Sequence, residues 1–172
     1  FPYIKKGLFG RTKHEFTKWF MVKPFTWYCN KKILKSKIIG KEKFKKIKKA
    51  VVTCNHVNIW DCLLVKKAFK KKKLFITAAP FNNRKDFLGK LMRAGDMMPM
   101  SDTHAGMRHF NKALDYRLGK KKSFVLFYPE QAMWWNYEKP RPYKNGAFHY
   151  AVKYNVPIIP TFITFIKTDE LD

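Results

Sequence analysis

Carboxylates are scarce in this chain: twelve Asp and Glu stand against 37 Lys and Arg, a formal charge of +25 over 172 residues. Such an excess points to something anionic: nucleic acid, a lipid headgroup surface or a phosphorylated substrate. Arginine is also rare, only six of the 37 cations, and the chain is rich in Lys, Ile, Asn and Phe. An AT-rich coding genome gives the same mixture, so part of the charge is compositional. Cysteine occurs three times, at 29, 54 and 62, with no CxxC or Cys/His finger spacing. That excludes a disulfide framework and a structural zinc site, and free thiols suit a reducing compartment. No apolar run approaches the roughly 18 residues of a spanning helix. The nearest, Trp19 to Tyr28, is interrupted by Lys23 and Pro24. No secretory signal, Gly/Ser linker or internal repeat is present.

What the chain does have is 46% hydrophobic and 17% aromatic residues, which excludes disorder despite the charge. The length fits one domain with a real core. The first residue is Phe and the last apolar strand ends almost at the C-terminus, so the chain reads as a fragment trimmed at both ends.

Residues 13–30 mix Phe16, Trp19, Phe20, Phe25, Trp27 and Tyr28 with Lys and His. This pattern predicts an amphipathic helix broken near Pro24, within an N-terminal membrane-associating segment, 1–30. The remainder, 31–172, alternates strand-like and helix-like stretches. Strands are expected at Ile33–Ile39, Ala50–Cys54, Leu74–Ala79, Met97–Met100, Ser123–Tyr128 and Pro157–Ile166. Helices are expected at Trp60–Phe69, Phe87–Ala94, His104–Leu118 (closed by Gly119) and Gly146–Tyr154. The alternation predicts a single α/β domain with a mixed, largely parallel sheet flanked by helices. Lysine runs at 43–49, 70–73 and 120–122 each border an apolar segment. Chemistry belongs in the loops beyond the carboxyl ends of the strands.

The second expected strand runs into Cys54-Asn55-His56-Val57-Asn58-Ile59-Trp60-Asp61. Residues five apart in a regular helix are offset by about 140°. His56 and Asp61 can meet if His56 lies in the strand-to-helix turn and Asp61 in the first helical turn, where the dipole favours a carboxylate. The carboxylate then fixes the imidazole tautomer and leaves the other nitrogen to take a proton. No GxSxG accompanies the pair, so the substrate is expected to supply the attacking hydroxyl.

Asn55-His56-x4-Asp61 resembles the first motif of the glycerolipid acyltransferase family, whose best-known members acylate lysophosphatidic acid. Phe127-Tyr128-Pro129-Glu130 resembles its "F-P-E" motif. Pro142-Tyr143-Lys144-Asn145-Gly146-Ala147-Phe148 is similar to its "P-F-K-x-G-A-F" segment, and Val156-Pro157-Ile158-Ile159-Pro160 to its closing "V-P-I-x-P" strand. The four fall in the family's order. Two departures stand out. Gln131-Ala132-Met133-Trp134 replaces the usual Gly-Thr-Arg-Ser, and residues 95–102 lack the second motif's Arg.

The resemblance implies an O-acyltransferase of phospholipid biosynthesis. Its donor would be an acyl carrier protein or coenzyme A thioester, and its acceptor a lysophospholipid, 1-acylglycerol-3-phosphate first among them. It makes His56 the general base and Asp61 its orienting partner. Asn55, Glu130, Gln131, Arg141, Lys144 and Arg93 are the substrate-binding candidates. With the second-motif Arg missing, the acceptor phosphate falls to Arg141 and Lys144, then Arg93. Backbone N–H groups around 129–132 are candidate oxyanion donors. Met98, Met133, Trp134 and Trp135 are candidates for an acyl groove or membrane contact. No metal and no cofactor is expected. An anionic membrane surface is the expected partner, on the cytoplasmic face, without a span. Two alternatives are an inactive lipid-binding relative and a basic nucleic-acid-binding protein. No nucleic-acid partner is expected, because no RRM, KH, zinc-finger or helix-turn-helix signature appears and the lysines are spread along the chain.

Overall fold

The computed structural model describes residue 3 and residues 8–166. Ala50–Cys54 (β1) is buried along its whole length, with Val51 facing one side and Ala50, Val52 and Cys54 the other. A strand apolar on both faces must be covered on both, which demands a parallel sheet between helices. Leu74–Ala78 (β2), Met97–Pro99 (β3), Phe124–Phe127 (β4) and Ile158–Thr161 (β5) complete it, in the order β3-β2-β4-β1-β5. Among the described residues every pairing is parallel, so the sheet is all-parallel rather than mixed there. Ala50 of β1 and Leu74 of β2 both stand level with Phe124 of β4.

The helices are Leu8–Thr17 (α1), Lys23–Tyr28 (α2), Asp61–Ala68 (α3), Phe87–Ala94 (α4), His104–Leu114 (α5) and Gly146–Lys153 (α6). One core layer joins Val51, Phe75, Met98 and Val125 to Phe110 and Leu114 of α5 and Ala147 and Ala151 of α6. The other joins Val52, Ile76, Phe124 and Leu126 to Val65 of α3 and to Phe69.

Several expectations need correction. The chain stays helical from residue 8 to residue 33, and Pro24 does not break it. A π-helical turn, Lys18–Val22, precedes Pro24, and the Lys23 N–H reaches the Lys18 carbonyl. Widening the helix there accommodates the missing proline donor. Ile33–Ile39 is no strand: Cys29–Ile33 is a second π-helical turn and the rest is irregular. Gly119 closes nothing, because the helix runs on through a π turn, Asp115–Lys120. The last strand stops at Thr161 rather than Ile166.

The N-terminal helix is tied to the domain by Asp96, a buried carboxylate just before β3. His14 Nε2 lies 3.2 Å from it, Lys18 pairs with it, and Lys66 of α3 lies 3.6 Å away. Burial alone would raise the Asp96 pKa. The His14 hydrogen bond and the Lys66 and Lys18 charges outweigh it and hold the carboxyl well below its usual range. A depressed carboxyl pKa contributes stability that is fully present well above the ordinary value of 3.8 and is lost progressively as pH falls from there into strong acid. Asp96→Ala leaves the half-buried Lys66 without its partner. It should cost about 3–5 kcal/mol, read as a lower denaturant midpoint with faster proteolysis of the N-terminal helix. An unchanged midpoint would contradict the tie.

Candidate active site

β1 ends at Cys54 and the chain turns through 55–60 into α3. Asp61, the first residue of α3, is fully buried. Its Oδ2 accepts the Val57 N–H at 2.8 Å and the Asn58 N–H at 3.0 Å, while the Asn58 Oδ1 accepts the Trp60 N–H. These bonds curl the loop tightly enough to bring His56 onto the same oxygen, its Nδ1 lying 2.8 Å from Oδ2. With that proton on Nδ1, Nε2 is left as the basic nitrogen. The His56 side chain is 27% exposed, so that nitrogen can be reached.

The Tyr128 ring stacks on the imidazole, centroids 4.2 Å apart and planes 22° from parallel. Its hydroxyl is buried without a hydrogen-bond partner among the described residues, and burial raises its pKa well above the ordinary phenol value. Tyr128→Phe removes only that orphan group. It should keep full activity and gain up to about 1 kcal/mol of stability. Tyr128→Leu removes the stacked wall and should lower kcat about tenfold, one aromatic contact's worth. Equal activity of the two variants would argue that the stack does nothing for His56.

The His56 peptide group is held at both ends. Its N–H donates to Glu130 Oε2 at 2.9 Å. Its carbonyl accepts from Arg141 at 3.2 Å and from the Trp134 N–H at 3.0 Å. Arg141 pairs with that same Glu130 oxygen, also donates to the Ala132 carbonyl, and lies 4.6 Å over the Trp134 ring. The Asn136 N–H adds a bond to the Val57 carbonyl at 2.8 Å. An ion pair and a loop strand thus clamp the His56 turn.

The predicted substrate-binding residues divide accordingly. Glu130 and Arg141 have side chains only 1% and 8% exposed, and they point into the clamp. Asn55 is buried, and its amide exchanges two bonds with the Ile163 backbone, at 2.9 and 2.7 Å. It holds the segment after β5 and has no face for a substrate. Gln131 is exposed with φ of 59°, its N–H committed to the Tyr128 carbonyl. Lys144 is exposed, with its backbone anchored on the Pro129 carbonyl. Arg93 is not brought to the site. It lies in the last turn of α4, which feeds the amino end of β3, and two strands separate β3 from β1. Met98 is a core residue, 2% exposed, and lines no groove. Met133, Trp134 and Trp135 are exposed beside the His56 turn, as is Ile59.

The roles of Tyr128, of the Glu130–Arg141 clamp and of Asn58 were missed in the sequence. Only for Tyr128 was there a signal, an aromatic residue at the end of a buried strand beside the motif's Pro129. Among the described residues no three His, Cys, Asp or Glu side chains are placed to hold a metal ion.

Neither the curated proteins nor the solved structures contain a match to this chain. A family model described as Acyltransferase does match, over residues 35–164, from just after the N-terminal helix to just beyond β5. It takes in His56, Asp61, Glu130 and Arg141, and with it the chain belongs to the Acyltransferase family.

Proposed function

We propose that this acyltransferase moves a fatty acyl group from an acyl carrier protein or coenzyme A thioester to the free hydroxyl of a lysophospholipid. The first acceptor to test is 1-acylglycerol-3-phosphate. One observation carries the reading: an accessible His56 oriented by the buried Asp61, in a site with no activated nucleophile of its own. The two thiols that flank the dyad are held protonated. Burial pushes Cys54 up to about 12 and Cys62 up to about 11. A thiol is a poor nucleophile beside its thiolate. The base therefore acts on a hydroxyl that the substrate brings.

His56 Nε2 takes the acceptor proton as the hydroxyl oxygen attacks the thioester carbon. The carbonyl electron pair moves onto oxygen. Collapse of the oxyanion breaks the C–S bond, and the sulfur leaves with the proton His56 had taken, giving ester and free thiol. Pro129 has no N–H and that of Gln131 is engaged, so Glu130 and Ala132 are the remaining oxyanion donors of the 129–132 stretch. With Arg141 clamped and Arg93 elsewhere, Lys144 is the cation best placed for an acceptor phosphate.

The same reading includes monotopic binding to an anionic leaflet, on the cytoplasmic face. Among the described residues no helix is long and apolar enough to cross a membrane. Phe16, Trp19, Phe20 and Trp27 are exposed at helical spacing, and Lys23 Nζ lies 3.2 Å over the Trp19 ring. Aromatic rings with lysine suit the headgroup layer. The contact of Phe25 with Trp60, centroids 5.9 Å apart, joins that helix to the rim of the His56 turn.

The test is thiol release from an acyl thioester on anionic vesicles, with and without lysophosphatidic acid. The expected result is release that requires the acceptor and yields phosphatidic acid. Acceptor-independent release with free fatty acid would make the chain a thioesterase instead.

A further inference from the structure

The lysine runs are far apart in sequence, but the topology brings them together. Lys48 and Lys49 lead directly into β1, residues 70–73 into β2, and 120–122 into β4. These three strands are adjacent and parallel, in the order β2-β4-β1, with level first residues. Neighbouring strands lie about 4.8 Å apart, so the three entries fall within about 10 Å at one end of the sheet. The segment 41–47 is pinned to the same end. Phe44 stacks on Phe69 at 4.4 Å, and Lys72 Nζ donates to the carbonyls of Lys45 and Ile47 at 2.8 and 2.7 Å. Lys49 Nζ bonds the Leu118 carbonyl at 3.2 Å.

The three segments thus bring thirteen lysines and one carboxylate, Glu42, to the amino end of the sheet, where Asp96 and Asp115 are already paired with Lys18, Lys66 and Lys153. Among the described residues none of the thirteen has a carboxylate partner. Cations within a Debye length of about 10 Å repel one another unless an anion is added. This end lies opposite His56, which follows the carboxyl end of β1. The surface that suits a bilayer is the aromatic N-terminal helix, and the acyl donor reaches His56 at the other end, so the partner of these lysines comes from the aqueous phase.

The residue types narrow it further. These segments contain no arginine and no exposed large apolar side chain. Protein interfaces are depleted in lysine and anchored by aromatics and arginine. Base reading uses arginine or stacking rings. Lysine alone on a broad surface fits a row of phosphates bound without sequence reading. We infer that the amino end of the sheet is a docking surface for the phosphate backbone of a nucleic acid. The dispersal of lysines along the chain, which spoke against such a partner, is undone by the parallel topology.

The test uses the full chain and a labelled RNA duplex in two unrelated sequences, read by fluorescence anisotropy across a salt series. Lys46, Lys48, Lys70, Lys71, Lys121 and Lys122 are changed together to Gln. A control removes equal charge elsewhere, at Lys13, Lys32, Lys37, Lys85, Lys90 and Lys112. The expected result is equal binding of both sequences, weakened at least about tenfold by the first set, with a shallower salt slope. The control should bind within about twofold of the unaltered chain, because its charges lie off the phosphate track. Equal losses in the two variants would overturn the surface, since they would reflect net charge alone. So would duplex binding that survives the first set, or a first set that loses anionic vesicles but keeps the duplex. Acyl transfer should be unchanged in the first variant, so failure of this surface is separable from failure of the proposed activity.

Discussion

His56→Ala leaves a folded protein that no longer transfers acyl groups. A positioned general base contributes about 10²–10⁴ in rate, so kcat should fall by that much while acceptor and donor KM stay within a few fold. The fold should survive because Asp61 Oδ2 keeps its bonds to the Val57 and Asn58 N–H groups, which close the turn without the imidazole. Asp61→Asn tests the other half of the pair. Because Oδ2 also accepts two backbone N–H groups, the amide oxygen takes its place and keeps the turn, but the imidazolium that forms as Nε2 takes the proton loses its counter-charge. The loss should be of the same order, and the double variant should lose little more than either single one, because the two act as a unit. Transfer by His56→Ala at the unaltered rate would remove the base assignment. Additive losses would show that Asp61 serves only the turn.

How much of this was legible in the sequence follows a physical divide. Elements set by local signals were: β1, α3 and α4 follow from apolar periodicity and start within about a residue of their expected limits. The His56–Asp61 contact was legible through the resemblance of the four ordered motifs, since the spacing alone only permits it if His56 lies in the turn. Ile33–Ile39 was misread because a short stretch with Ile33, Leu34, Ile38 and Ile39 ending at Gly40 has a strand's composition, whereas its place beside the first helix and α3 is set by tertiary bonds. Lys67 to Ser36 and Asn30 to Leu63 are examples, and no local rule contains them. Pro24 was misread because a proline breaks a helix only if the turn before it stays α-helical. Arg141 stands differently in the fold for a related reason. Beside the Pro142–Phe148 segment it reads as a phosphate ligand, and only the folded loop shows it turned back onto Glu130.

Arg141 is where the resemblance and the geometry differ most, and kinetics separate them. If Arg141 grips the acceptor phosphate, Arg141→Ala raises acceptor KM and spares kcat. If it clamps the His56 peptide, kcat falls and acceptor KM holds. The geometry supports the second outcome. The guanidinium is almost buried, its charge is matched by Glu130, and its reach ends on the carbonyls of His56 and Ala132. Arg141→Ala also strands the Glu130 carboxylate in the interior, a cost of about 3–5 kcal/mol. A fall in activity could then reflect unfolding alone. The pair Glu130→Gln with Arg141→Met removes both charges and keeps the volume. It should recover most of the lost stability, because no buried charge is left unpaired. It should not recover kcat, because the His56 carbonyl still lacks its guanidinium and the imidazole is no longer held against Tyr128. Recovery of stability and kcat together would assign the pair to folding only. Recovered stability with raised acceptor KM and normal kcat would return Arg141 to the phosphate.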